Sequence, residues 1–388
     1  MVSWPTPPLI RNVRIPTHPE YALIGLFIPL LVYFWRQRSR STVSTIITRI
    51  FVHPIKSCRG TSVPAWEYTP EGLKHDRTFV IVDKNTHKTI TAREIPKNRR
   101  DSQGTDTRNS FSKRNYYWRC KDILGTSRRG CQELDKVSEH NNCFSYSDES
   151  RLDDIQIWSH TTDGYICESL EQGGLDPSGA LSKYLERDVL LIRKGPTTRH
   201  LKPTAAFPAL QGSAVFQDGY PILVASEESL VDVQTKLSLS AAGVEGWKIN
   251  GVAGEWTGEL VMERFRPNVV VEGAGKPYAE EEWEEISFTT TERSGRASSE
   301  YGRMLLVSRC TRCQLPNIEP STGIQHKHVP YKVLAKYRRV DPARPYTPCF
   351  GVNAVPQESG VYRVGDTVHV RRFAAAGKLP EKEVIVKN

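Results

Sequence analysis

Two cysteines three residues apart, Cys310 and Cys313, flank Arg312 in the stretch from Ser308 to Asn317. A guanidinium is not deprotonated in a protein, and its charge favours the thiolate, the form of cysteine that attacks electrophiles and binds metals. Four chemistries use such a pair. Zinc is one, because His326 and His328 follow at a finger-like distance; a finger, however, spaces its histidines further apart, and in extended chain these two imidazoles diverge. A thioredoxin-like dithiol is the second, opposed by Pro316 and Pro320, which break the helix that such a pair opens. An inert buried pair is the third. The fourth is a soft transition metal held by one thiolate, with a cofactor supplying the rest of its coordination.

Basic and polar clusters elsewhere suit the fourth chemistry. His53-Pro54-Ile55-Lys56-Ser57-Cys58, Asp76-Arg77, Thr91-Ala92-Arg93 and Glu263-Arg264-Phe265-Arg266-Pro267-Asn268 each put a cation at a strand end or turn, where a loop can reach an anion. With Ser57 and Asn268 as hydrogen-bond donors, they fit a phosphate-bearing heteroaromatic ligand. Taken singly, each reads as an ordinary surface charge.

The elements that must carry these residues read mostly as strands. Ile50 to Val52, Phe79 to Asp83, Asp154 to Trp158, Phe265 to Val271, Ile286 to Phe288, Met304 to Val307 and Thr367 to Val370 are short β-branched or aromatic runs separated by turn signals. Helices are few: Glu227 to Leu237 with Ser226 as N-cap, Gly179 to Leu185, and Tyr331 to Arg338. The pattern predicts a β-rich α+β protein built on barrels.

At 388 residues and 38% hydrophobic, the chain is long enough for two domains with real cores. Its 53 Lys and Arg against 44 Asp and Glu give a net charge of +9, which favours anionic partners. Nucleic acid is not expected among them, since the arginines recur inside the motifs instead of clustering on one face. Eight cysteines are too sparse for a disulfide scaffold and read as mostly reduced, intracellular thiols.

Tyr21 to Trp35 is apolar and uncharged and is followed by Arg36, Arg38 and Arg40. It reads as a membrane anchor with the remainder on the cytosolic side, although it is shorter than the ~20 residues of a full span. From Lys97 to Asn142 the strand pattern stops, and charged and polar residues take over. This segment reads as an insertion in a surface loop, as a basic arm with Tyr116, Tyr117 and Trp118, or as coding sequence replaced through a retained intron or frameshift.

In chain order, HPIKSCRG at 53–60, HDRTFVIVD at 75–83, TAREIP at 91–96, FQDGYPILVASEESL at 216–230, RFRPNVVV at 264–271, CTRCQLPNIEPSTG at 310–323 and PCFGV at 348–352 resemble the MOSC superfamily. The resemblance is specifically to the membrane-anchored, molybdenum-cofactor amidoxime-reducing enzymes and their fungal relatives. It covers most of Thr48 to Arg371 outside the polar segment. It implies an anchor and basic flank over 1–43, an N-terminal MOSC β-barrel domain over 44–196, a MOSC β-barrel domain over 197–373 and a tail over 374–388.

The resemblance also implies a molybdenum cofactor, a Mo-molybdopterin whose metal is ligated by Cys313 and not by Cys310. Lys56, Ser57, Arg77, Arg266 and Asn268 match positions that contact the cofactor, Arg93 and Arg312 are implied pocket residues, and Asp218 lies in the matching pocket loop. The implied reaction is reduction of small N-hydroxylated compounds. Electrons would come from a cytochrome b-type protein and its NADH-dependent flavin reductase, at the mitochondrial outer membrane. Two departures bear on substrate range: Asp218-Gly219-Tyr220 stands where animal relatives carry smaller hydroxyl residues, and Asn353 where they carry tyrosine. The alternative within the same fold is a protein handling sulfur or the cofactor itself, akin to the C-terminal part of molybdenum-cofactor sulfurases. The pyridoxal phosphate domain of those sulfurases has no counterpart here.

Overall fold

Along β12 (Val269–Glu272) the side chains of Val269 and Val271 enter one buried cluster and that of Val270 enters another. This period of two, with both faces covered, is what a strand between a barrel interior and a helical layer requires. The computed structural model describes residues 44–92, 145–169, 176–254, 256, 258–290 and 298–374. The apolar run 21–35, Arg93, the segment 97–142 and the tail beyond 374 lie outside the described residues. Among the described residues no helix is long and apolar enough to cross a membrane.

Strands are numbered in chain order. Seven close into a barrel: β12, β11 (Ile222–Ser226), β15 (Cys349–Pro356), β14 (Tyr301–Thr311), β13 (Trp283–Thr289), β17 (Thr367–Phe373) and β1 (Ile46–Val52), with β1 returning to β12. β2 (Thr61–Val63) extends this sheet beside β1. Ile47, Ile50, Val224, Ile286, Phe288, Leu306 and Val352 fill the interior. Outside it, Phe51, Val270 and Phe350 pack with Val233 and Leu237 of α2 (Glu227–Ala241) and Val333 and Leu334 of α3 (Tyr331–Tyr337).

A second sheet runs β5 (Phe79–Asp83), β8 (Val189–Lys194), β7 (His160–Ile166) and β6 (Arg151–Ile157), with α1 (Pro177–Leu185) packed on it. β3 (Ala65–Thr69) pairs with β4 (Gly72–Leu73) and with β16 (Gly360–Arg363). β9 (Arg199–His200) pairs with β10 (Ser213–Ala214). β1 and β2 thus belong to the barrel sheet, while β5 to β8 form a separate sheet.

The three helices expected from periodicity form, and Ser226 caps α2 by accepting from Ser229 N at 3.2 Å. The strand expected from Phe265 begins instead at Val269. Met262–Phe265 is a 3-10 turn and Arg266 sits in the left-handed region at φ 56°. Pro267, which has no N–H to donate, follows it. The pleat cannot start until both are passed.

Candidate functional site

The site forms where β1 leaves the barrel and the chain crosses to the second sheet. His53 O accepts from Arg77 N at 2.7 Å, Lys56 N donates to Phe79 O at 2.8 Å, and Phe216 N donates to Arg77 O at 3.2 Å. Three of the turn residues here, Ser57, Arg77 and Arg266, have positive φ of 67°, 51° and 56° without being glycine. Such residues are uncommon and concentrate where backbone strain serves a site. Gly60 permits the close fold of the first loop, because a Cβ there would lie 2.5 Å from the His53 ring.

Lys56 is buried; its ammonium donates to Phe216 O at 2.7 Å and to Asp218 Oδ1. Burial lowers its pKa, with Asp218 opposing and Arg199 and Arg77 adding to the fall. Desolvation alone would raise Asp218, but the Lys56 ammonium, the Trp158 indole and Arg77 outweigh it and hold the carboxyl well below the usual range. The Asp218 side chain is 70% exposed, and Trp158 Nε1 donates to the same Oδ1 at 3.0 Å.

Arg77 pairs with buried Asp76 and donates to Asn268 Oδ1 at 3.0 Å and Arg266 O at 3.2 Å. Burial first, then the charges of Arg77 and Arg266, push His53 down to about 3, so its imidazole is neutral. Arg266 donates to Cys58 O. Asn268 is committed internally: its Nδ2 donates to Phe51 O at 3.2 Å, and its Oδ1 also accepts from Leu223 N at 3.2 Å.

Arg312 bridges to Phe265 O at 2.7 Å and to Cys310 Sγ at 3.1 Å. This separates the two cysteines. Cys310 is half-buried and holds the guanidinium, while Cys313 is exposed just beyond β14, its sulfur accepting, among the described residues, only from Leu315 N at 3.4 Å. A three-residue 3-10 turn, Leu315–Asn317, follows instead of a longer helix, so the thioredoxin arrangement does not form. His326 Nδ1 accepts backbone N–H groups of His328 and Val329 at 3.0 and 2.9 Å. Among the described residues no His, Cys, Asp or Glu cluster is placed to hold a metal by itself. Ala92 packs against Leu315 and Ile318, which brings the Thr91-Ala92 turn beside the cysteine loop.

Arg77 thus joins Asn268 and Arg266, Arg312 reaches Phe265 O next to Arg266, and Lys56 holds Asp218, while Ser57 and Cys313 adjoin Lys56 and Arg312 in the chain. Sequence reasoning missed Trp158 and Arg199, and named His53 only as part of a basic cluster; Arg199 donates to Val215 O at 2.8 Å and to Gln217 O behind the Asp218 loop. A chemical fit to an anionic, metal-bearing cofactor rests on two observations. Lys56 and Arg77 pair with Asp218 and Asp76, and the buried guanidinium groups of Arg266 and Arg312 lie along the same loops. A polar group is also left over: among the described residues, buried Arg312 Nε has no hydrogen-bond partner. An exposed thiol beside them is a soft donor.

Residues 44–106 match the model of the MOSC N-terminal beta barrel domain, and residues 211–369 match that of the MOSC domain. The chain is 27% identical to mitochondrial amidoxime reducing component 2 of Rattus norvegicus, covering 86% of this chain and 85% of that one. It is 25% identical to mitochondrial amidoxime-reducing component 1 of Mus musculus, covering 92% and 94%. With the molybdenum cofactor sulfurase of Solanum lycopersicum it shares 26% identity over 76% of this chain but 31% of that one.

Proposed function

The chain belongs to the MOSC proteins, its two matched domains covering more than half of its length, and from that premise we propose that it is a molybdenum-cofactor-dependent oxidoreductase reducing N-hydroxylated compounds. The observation that carries this reading is the unequal pair of cysteines: Cys310 is engaged by Arg312, and Cys313, which adjoins Arg312 in the chain, lies open. Cys313 would supply the protein thiolate to the metal. Lys56, Arg77, Arg266 and Arg312 would meet the phosphate and pterin, Ser57 would donate its hydroxyl, and Arg93 is a further proposed pocket residue. Asn268 holds Arg77 and the β1 loop in register.

When bound, a molybdenum pterin supplies the two-electron redox chemistry. Two electrons and two protons turn N–OH into N–H and water. Asp218 is ionised at neutral pH and therefore accepts hydrogen bonds from the substrate head instead of acting as an acid; the protons come from solvent. A cytochrome b-type carrier and its flavin reductase are the proposed electron source. The N-terminal apolar run is the proposed anchor to the mitochondrial outer membrane.

The test is to purify the protein from a host that makes molybdenum cofactor and to measure molybdenum content and pterin fluorescence. We expect stoichiometric metal in wild type and in Cys310→Ala, and loss of metal in Cys313→Ala. Zinc in place of molybdenum, or equal loss from both variants, would refute the assignment. The sulfurase similarity favours a second reading, transfer of sulfur through a cysteine persulfide; sulfane sulfur on Cys313 without reductase activity would support that reading instead.

A further inference from the structure

Trp158 follows β6 and turns the chain into β7, at the tip of a hairpin of the second sheet. Its backbone lies at φ 54°. Hairpin turns with such a backbone favour glycine, asparagine or aspartate, and a large aromatic residue is a strained choice there. Its side chain is also misplaced by the usual criterion, since the residue is 56% exposed. Neither property helps the hairpin fold. Both place the indole beside the site, where Nε1 donates to Asp218 Oδ1 at 3.0 Å.

The consequence for Asp218 is specific. Oδ1 receives both Lys56 Nζ and the indole N–H, which fixes the carboxylate from two sides. Oδ2 takes no protein partner among the described residues, and the side chain is open to solvent. An oriented acceptor therefore stands next to a largely exposed indole. Lys56, Arg77 and Arg199 all lie close enough to Asp218 to interact with it electrostatically, so the surroundings disfavour a cationic guest. They leave as the fitting one a neutral, planar head with hydrogen-bond donors.

We infer that Trp158 is a specificity residue with two separable parts: its N–H positions Asp218, and its ring is the wall on which a flat, conjugated substrate head stacks while donating to Asp218 Oδ2. This rests on the proposed reductase function for the reaction itself, but not for the binding. Ring stacking acts in the bound ground state and transition state alike, so its loss raises KM for planar substrates. Loss of the indole hydrogen bond loosens Asp218 and lowers kcat for every substrate.

The experiment compares benzamidoxime, which is aryl, with acetamidoxime, which is alkyl, in wild type, W158F and W158G. Glycine suits the left-handed backbone, so W158G tests the ring without adding strain. W158G is expected to cut the aryl-to-alkyl ratio of kcat/KM by roughly three- to ten-fold through KM. W158F keeps a ring and is expected to hold most of that ratio while kcat falls about ten-fold for both substrates. A second arm titrates benzamidoxime into the same proteins and follows indole fluorescence; quenching present in wild type and absent in W158G is expected. An unchanged aryl-to-alkyl ratio in W158G would overturn the inference while leaving the reductase intact. If wild type reduces neither compound, the reductase reading fails and the titration decides: quenching confined to proteins with Trp158 supports the binding wall, and equal signals in wild type and W158G overturn it.

Discussion

Asn268 illustrates how much a single side chain can hold without being a ligand. Its amide accepts from Arg77 and Leu223 N and donates to Phe51 O, joining loops that lie 191, 45 and 217 residues away in sequence. Asn268→Ala leaves a buried carbonyl, a buried N–H and one guanidinium N–H without their partner, and should destabilise the fold by about 3 kcal/mol. Urea unfolding checks this; a loss near zero would mean that water replaces the amide. Asp218→Asn keeps the shape but removes the charge from Lys56, and should cut kcat/KM by at least ~10-fold with little change in molybdenum content. The cationic residues Lys56, Arg77, Arg266 and Arg312 were legible in the sequence because strand-end arginines and lysines in ordered motifs carry their chemistry in their type. Which cysteine stays open was not legible from spacing, because it depends on where Arg312 points. Trp158 was missed because an aromatic residue closing a β-branched run reads as one more strand position, and only its φ and its contact with Asp218 mark it out.

At the scale of elements, alternation located the strands and capping located α2, since both are local. The left-handed turns at Ser57, Arg77 and Arg266 were not legible, because serine and arginine carry no propensity for them and tertiary hydrogen bonds impose the conformation. The start of α2 shows a further coupling invisible to a local reading. Ser226 and Ser229 both donate to buried Glu280 at 2.9 Å, tying the helix to the 3-10 turn before β13. Burial first, then the nearby charge of Glu281, pushes Glu280 up to about 7, with its own backbone N–H and the two serine hydroxyls only partly opposing. The folded protein thus keeps a proton on Glu280 that the unfolded chain releases near pH ~4.3. Its contribution to stability is full below that pH and is lost as pH rises to about 7. Glu280→Gln should flatten this decline between pH 5 and 8 in urea unfolding, and an identical pH profile in the variant would contradict the raised pKa. Ser226→Ala should cost at least ~1 kcal/mol, from the lost cap alone.

For the molecule as a whole, the matched MOSC domain spans residues 211–369, yet its barrel is closed by a strand from the other end of the described chain. β1 sits between β12 and β17, and Ile47, Ile50, Phe51 and Val52 are almost fully buried. Burying each contributes roughly 1.5–3 kcal/mol, so together they rival the ~5–15 kcal/mol of a typical domain. A chain starting at Lys56 should therefore lack a cooperative thermal transition and sediment as aggregate; a sharp transition at the wild-type temperature would show that the barrel closes without β1. The barrel class was legible from composition and strand spacing. This interleaving was not, because nothing local in β1 names its partners. The Thr45 hydroxyl reaches Gly273 O across 228 residues of sequence, which carries a cost in time. During synthesis β1 leaves the ribosome long before either neighbouring strand exists, and its apolar residues and unpaired edges wait for β12 and β17 to be translated. Closure of so long a loop is slow, and the waiting strand is open to chaperones and to misassembly in the interval.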